Sequence, residues 1–82
     1  MNSAQIYTQL TAVFREVFED QTIMPTPEMT AKDVPEWDSL NHINLIVAIE
    51  ARFKIKFKTA ELESLRNVSH LVEMISHKLN GS

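Results

Sequence analysis

The chain has 82 residues, 44% of them hydrophobic and 23% charged, with a formal net charge of −3 and no cysteine. That length fits one small domain spanning residues 1–82, and its limited interior argues against a deep catalytic cavity. The negative balance argues against nucleic acid, which demands clustered Lys and Arg. The missing cysteine excludes disulfides, zinc–thiolate sites and a Cys nucleophile.

No apolar run approaches the roughly 20 residues of a membrane span, and the first residues lack the basic-then-apolar pattern of a signal peptide. A monomeric cytoplasmic protein is therefore expected. The only glycine is Gly81. Phosphate loops and dinucleotide fingerprints need glycines in the body of the chain, so both are excluded.

In chain order, residues 3–19 read as a helix, with Ile6, Leu10, Val13, Phe14 and Val17 on one face. Asn2 and Gln5 have capping-box spacing. Residues 20–37 hold Pro25, Pro27 and Pro35, all the prolines of the chain. They make a long connection, because proline removes a donor and disfavours helix in the residue before it. Ile23, Met24, Met29, Val34 and Trp37 are candidates to pin it to the core. The second helix covers 38–53. Residues 54–58, KIKFK, alternate like a strand but have no partner strand, so they read as an extended connector with Ile55 and Phe57 turned inward. A short helix follows over 59–65, capped by Thr59, with Leu62 and Leu65 facing in. The last helix covers 67–79, with Asn67 as its cap and Val68, Leu71, Val72, Ile75 and Leu79 as its stripe; Asn80–Gly81 is a natural stop. The expected fold is all-α: a small four-helix bundle of three longer helices and one short, with a long first loop.

The second helix is apolar on two sides. At about 100° per residue from Leu40, the side chains of Leu45, Ile46, Ile49 and Phe53 fall within roughly 140–240°. Leu40, Ile43, Val47 and Ala51 fall nearly opposite, within roughly 300–20°. Asn41, Asn44 and Arg52 occupy one flank and Glu50 the other. The first set predicts the core face. The second is covered by loop 20–37 or offered to a partner, since contiguous exposed apolar area marks interaction sites. At the start of this helix, Asp38 or Ser39 can cap the free amides. A catalytic serine would need an oriented base and an oxyanion site. His42 lies one turn away, but nothing in the sequence orients it. His70 and His77 lack a third ligand, so no metal site is expected.

WDSL followed by xxIxLIxxIExxF resembles the prosthetic-group site and second helix of the acyl carrier protein family. The resemblance extends to the long loop before Asp38, the short third helix and the NVSHLVEMI opening of the last helix. It implies a carrier rather than an enzyme, with no catalytic residues of its own. Ser39 matches the serine that receives 4′-phosphopantetheine from coenzyme A through a phosphopantetheinyl transferase. Asp38 and Leu40 match its motif neighbours. Leu40, Ile43, Asn44 and Val47 match positions that family members present to acyl-activating and acyl-transferring enzymes. The arm's thiol, holding acyl groups as thioesters, would supply the sulfur that the chain lacks. The pattern departs from fatty-acid-synthase carriers, whose second helix is usually acidic. Asn41, His42, Asn44 and Arg52 stand in that helix, with Lys54, Lys56 and Lys58 after it. This suggests a dedicated carrier for a specialised lipid, polyketide or surface-polymer pathway. An aminoacyl or peptidyl carrier, and an unmodified helical adaptor using the Leu40/Ile43/Val47 stripe, remain alternatives.

Overall fold

The computed structural model describes residues 2–80, so Gly81 as a helix stop lies outside the described residues. Four helices form: α1, Ser3–Val17; α2, Ser39–Phe53; α3, Thr59–Glu63; and α4, Val68–Leu79. Among the described residues there is no strand, and 55–58 is irregular backbone. The all-α expectation therefore holds.

α1 opens with the capping box. Asn2 Oδ1 accepts from the Gln5 amide at 2.9 Å, and Gln5 Oε1 accepts from the Asn2 amide at 2.9 Å. Its buried residues are Ile6, Leu10, Val13 and Phe14, as the spacing predicts. It ends at Val17 rather than 19. Glu19 has φ 52°, and the Asp20 amide closes the end by reaching the Arg15 carbonyl at 3.1 Å. A left-handed residue stops a helix in this way. Phe18, unassigned by periodicity, is thereby turned into the core.

α1 is the hub, packing against both α2 and α4. Their shared core joins Leu45, Ile49 and Phe53 of α2 to Val68, Leu71, Val72 and Ile75 of α4. Fully burying one such side chain contributes roughly 1.5–3 kcal/mol.

The long loop is tied down at several points. Ile23 and Val34 are buried, and Met29 and Trp37 pack against the core. Met24 corrects the expectation: it is 64% exposed. The Arg15 guanidinium explains this, because it donates from Nε to the Ile23 carbonyl at 3.0 Å and from Nη2 to Met24 Sδ at 3.1 Å, holding Met24 at the rim. Thr30 starts a 3₁₀ turn over Ala31–Asp33, which sequence periodicity does not reveal. The Pro27 and Met29 carbonyls accept from the Ser69 and Val68 amides, each at 3.0 Å. The loop thus satisfies donors that the start of α4 would otherwise leave free. Asn67 Oδ1 supplies the expected cap, accepting from the His70 amide at 2.9 Å.

α2 ends on Lys54, also left-handed at φ 58°. Glu50 sets the connector: its carbonyl accepts from the Ile55 amide at 3.1 Å and its Oε2 from the Phe57 amide at 2.9 Å. Ile55 is buried and Phe57 packs on the core, as expected. Thr59 is the first residue of α3 and not its cap. The cap position falls on Lys58, whose amide donates to Glu61 Oε1 at 2.7 Å. α3 also stops at Glu63, short of the expected 65, where Ser64 Oγ donates to the Glu61 carbonyl at 2.8 Å. A 2.9 Å salt bridge between Glu61 and Lys78 ties α3 to α4.

Candidate functional site

The head of α2 is organised by Asp38. Its backbone is extended, its Oδ1 accepts from the Asn41 amide at 2.8 Å, and its carbonyl accepts from the His42 amide at 2.8 Å. This resolves the choice of cap in favour of Asp38. Ser39 becomes the first helical residue, exposed, with no hydrogen-bond partner for its hydroxyl among the described residues.

Trp37 positions the other side of the site. Its ring meets Phe14 edge-on at 5.4 Å between centroids and Phe18 at 5.8 Å. It anchors the loop, as expected. Its indole Nε1 donates to His42 Nδ1 at 3.0 Å, with the two rings within 20° of parallel. His42 is thus oriented by a partner that the sequence does not show. Its Nδ1 is committed to Trp37, so that nitrogen does not serve Ser39 as a base. Sequence periodicity cannot show this bond, because it depends on how the loop delivers Trp37.

Ala31, Trp37, Asp38, Ser39 and His42 line a shallow groove. Three of them, Ala31, Trp37 and His42, also line a cavity of about 80 Å³ with Leu45, Ile46, Leu65 and Leu71. Arg66 and Asn67 are its polar residues on the α4 side. Ser39 lines the groove only, and the cavity shares the groove's Ala31, Trp37 and His42.

The two faces of α2 separate as the helical wheel predicts. Leu45, Ile46, Ile49 and Phe53 are no more than 6% exposed. Leu40, Ile43 and Val47 are 69%, 60% and 58% exposed. Loop 20–37 does not cover that stripe, so the covered alternative falls. Asn44 is exposed beside it, its Nδ2 donating to Asn41 Oδ1 at 3.3 Å. The polar flank is partly committed to the scaffold. Asn41 Nδ2 donates to the Glu36 carbonyl at 2.8 Å, and Arg52 Nε donates to Gln9 Oε1 on α1 at 2.7 Å. Lys54, Lys56 and Lys58 are all exposed at the far end. Among the described residues no set of three His, Cys, Asp or Glu side chains is grouped to hold a metal ion, and no helix is long and apolar enough to cross a membrane.

No protein-family profile matches the chain. It is 25% identical over 79 residues to an acyl carrier protein of Thermosynechococcus vestitus, covering 96% of this chain and 98% of that one. It is 27% identical over 77 residues to an acyl carrier protein of Acidothermus cellulolyticus, covering 94% and 92%. The solution structure of a holo acyl carrier protein from Geobacter metallireducens superposes with a TM-score of 0.87 at 46% identity, covering 90% of this chain and 85% of that one. With the exposed serine at the head of α2 and the uncovered stripe beside it, these likenesses establish that the chain belongs to the acyl carrier protein family.

Proposed function

We propose that Ser39 is the attachment point for 4′-phosphopantetheine and that the chain works as one carrier domain, handing acyl groups between enzymes. The observation that carries this reading is an exposed serine hydroxyl at the first turn of α2, released from capping by Asp38 and bordered by an apolar stripe. The Ser39 Oγ would attack the pyrophosphate of coenzyme A, forming a phosphodiester and releasing adenosine 3′,5′-bisphosphate. Once bound, the group supplies a thiol that holds an acyl chain as a thioester.

The residues present suit that group. The helix N-terminus favours a phosphodiester's negative charge. Asp38 opposes it in part, but its Oδ1 is already engaged by the Asn41 amide. The groove past Trp37 and His42 leaves room for an arm to lie against the protein. Leu40, Ile43, Asn44 and Val47 form the docking surface for the transferase and for acyl-activating and acyl-transferring enzymes. A small apolar stripe suits transient contacts, which a carrier visiting several enzymes requires. The basic end, Lys54, Lys56 and Lys58, favours enzymes without a basic docking face. This supports a specialised lipid, polyketide or surface-polymer pathway, operating in the cytoplasm where coenzyme A is at hand.

The test is the intact mass after incubation with coenzyme A and a broad-specificity phosphopantetheinyl transferase. Wild type gains one phosphopantetheine and Ser39→Ala gains none. Equal gains, or none in wild type, overturn the assignment. An aminoacyl carrier differs only in the enzyme that loads the thiol, so loading assays with fatty-acid and amino-acid ligases separate the two.

A further inference from the structure

Resting on the assignment of Ser39, we propose that His42 is a positioning residue for the arm: its Nε2–H donates a hydrogen bond to the phosphodiester at Ser39, and Trp37 fixes the tautomer that makes this possible. The argument begins with the 3.0 Å bond from Trp37 Nε1 to His42 Nδ1. An indole N–H only donates, so Nδ1 must accept. A neutral imidazole carries one proton, which is then on Nε2. The opposite edge of the ring is thereby a donor.

The position of that edge follows from the helix. Residues three apart on a helix have Cβ atoms about 5–6 Å apart, which makes Ser39 and His42 neighbours on one surface. Helical side chains lean toward the N-terminus. The ring is also held in place by Trp37, which lies just before the Asp38 cap and is bonded to Nδ1. His42 and Ser39 line the same groove. Trp37 cannot easily follow a moving imidazole, since its ring is packed on Phe14 and Phe18. Nε2 has no partner among the described residues, and no buried side-chain nitrogen or oxygen there is left unsatisfied, so Nε2 is accessible and free to donate. The ligand class is an oxygen anion on the serine, and the consequence is a preferred direction for the arm where it leaves the protein.

The experiment compares apo and holo protein by long-range ¹H–¹⁵N imidazole correlation and ³¹P spectra at mildly alkaline pH, with holo formation confirmed by mass. Apo wild type shows the Nε2–H tautomer at His42. On conversion to holo, the His42 Nε2 signals shift while those of His70 and His77 on α4 stay. The ³¹P resonance moves in His42→Phe, which keeps the ring, and also in Trp37→Phe, where the His42 tautomers mix. His77→Phe leaves it in place. Should Trp37→Phe fail to fold, the His42→Phe and wild-type comparison decides alone. Superimposable His42 signals in apo and holo wild type, or an unchanged ³¹P resonance in His42→Phe, overturn the proposal while leaving Ser39 as the attachment point. No mass gain in wild type removes both.

Discussion

The two faces of α2 are built from nearly the same side chains and meet opposite fates. Leu45, Ile46, Ile49 and Phe53 are buried, whereas Leu40, Ile43 and Val47 stand mostly in water. Hydrophobicity alone does not separate them. The bundle does, because α1 packs on one side of α2 and the long loop is drawn away toward α1 and α4 by Arg15, Val68 and Ser69. An apolar face left bare in so small a domain costs solubility, and the docking role proposed for it gives that exposure a use.

The comparison breaks most visibly on the buried side. Phe53→Ala should destabilise by about 3–5 kcal/mol, a large part of a small domain's stability, and chemical denaturation will measure it. At the boundary, Asp38→Ala removes the cap and should cost about 1 kcal/mol, seen as a lower melting temperature. On the bare side, Val47→Asp should change stability by no more than about 0.5 kcal/mol. The smallest effect is electrostatic. Glu61's carboxyl is held below its usual range, first by the Lys58 amide and then by the Lys78 ammonium. A depressed carboxyl stabilises the fold above its unfolded pKa and loses that contribution as pH falls through the folded value. Melting between neutral and acid pH should therefore fall slightly less steeply in Glu61→Gln than in wild type.

Much of this division is legible in the sequence, for physical reasons. The three-four spacing of α1, α2 and α4 reads directly into burial because each helix presents one face to a single core. Caps with a side-chain oxygen, at Asn2 and Asn67, are equally local signals. What escaped depends on the folded chain. Glu19 and Lys54 end helices in a left-handed conformation that glycine would usually mark. With no glycine to mark the stop, periodicity alone carries α1 two residues past its end at Val17. Thr59 resembles a cap, yet Glu61 takes the Lys58 amide instead, which moves the start of α3 by one residue. At the site, the serine motif and the second apolar stripe are readable, but only the fold shows that the loop leaves the stripe bare. The Trp37–His42 bond is not readable, because the 18-residue loop that brings Trp37 onto Phe14 and Phe18 has no periodicity to follow. Arg52 stands on the exposed flank that the wheel gives it, and its Nε also reaches Gln9 across the α1–α2 seam, a bond the wheel does not show.

The most direct test of the two-face account is the rate at which a broad-specificity transferase converts Val47→Asp to the holo form, followed by intact mass and set beside its melting temperature. The account predicts a loss of about 10-fold or more in kcat/KM, equivalent to about 1.4 kcal/mol of docking energy, with melting unchanged from wild type. A wild-type rate, or a melting loss comparable to that of Phe53→Ala, would contradict it.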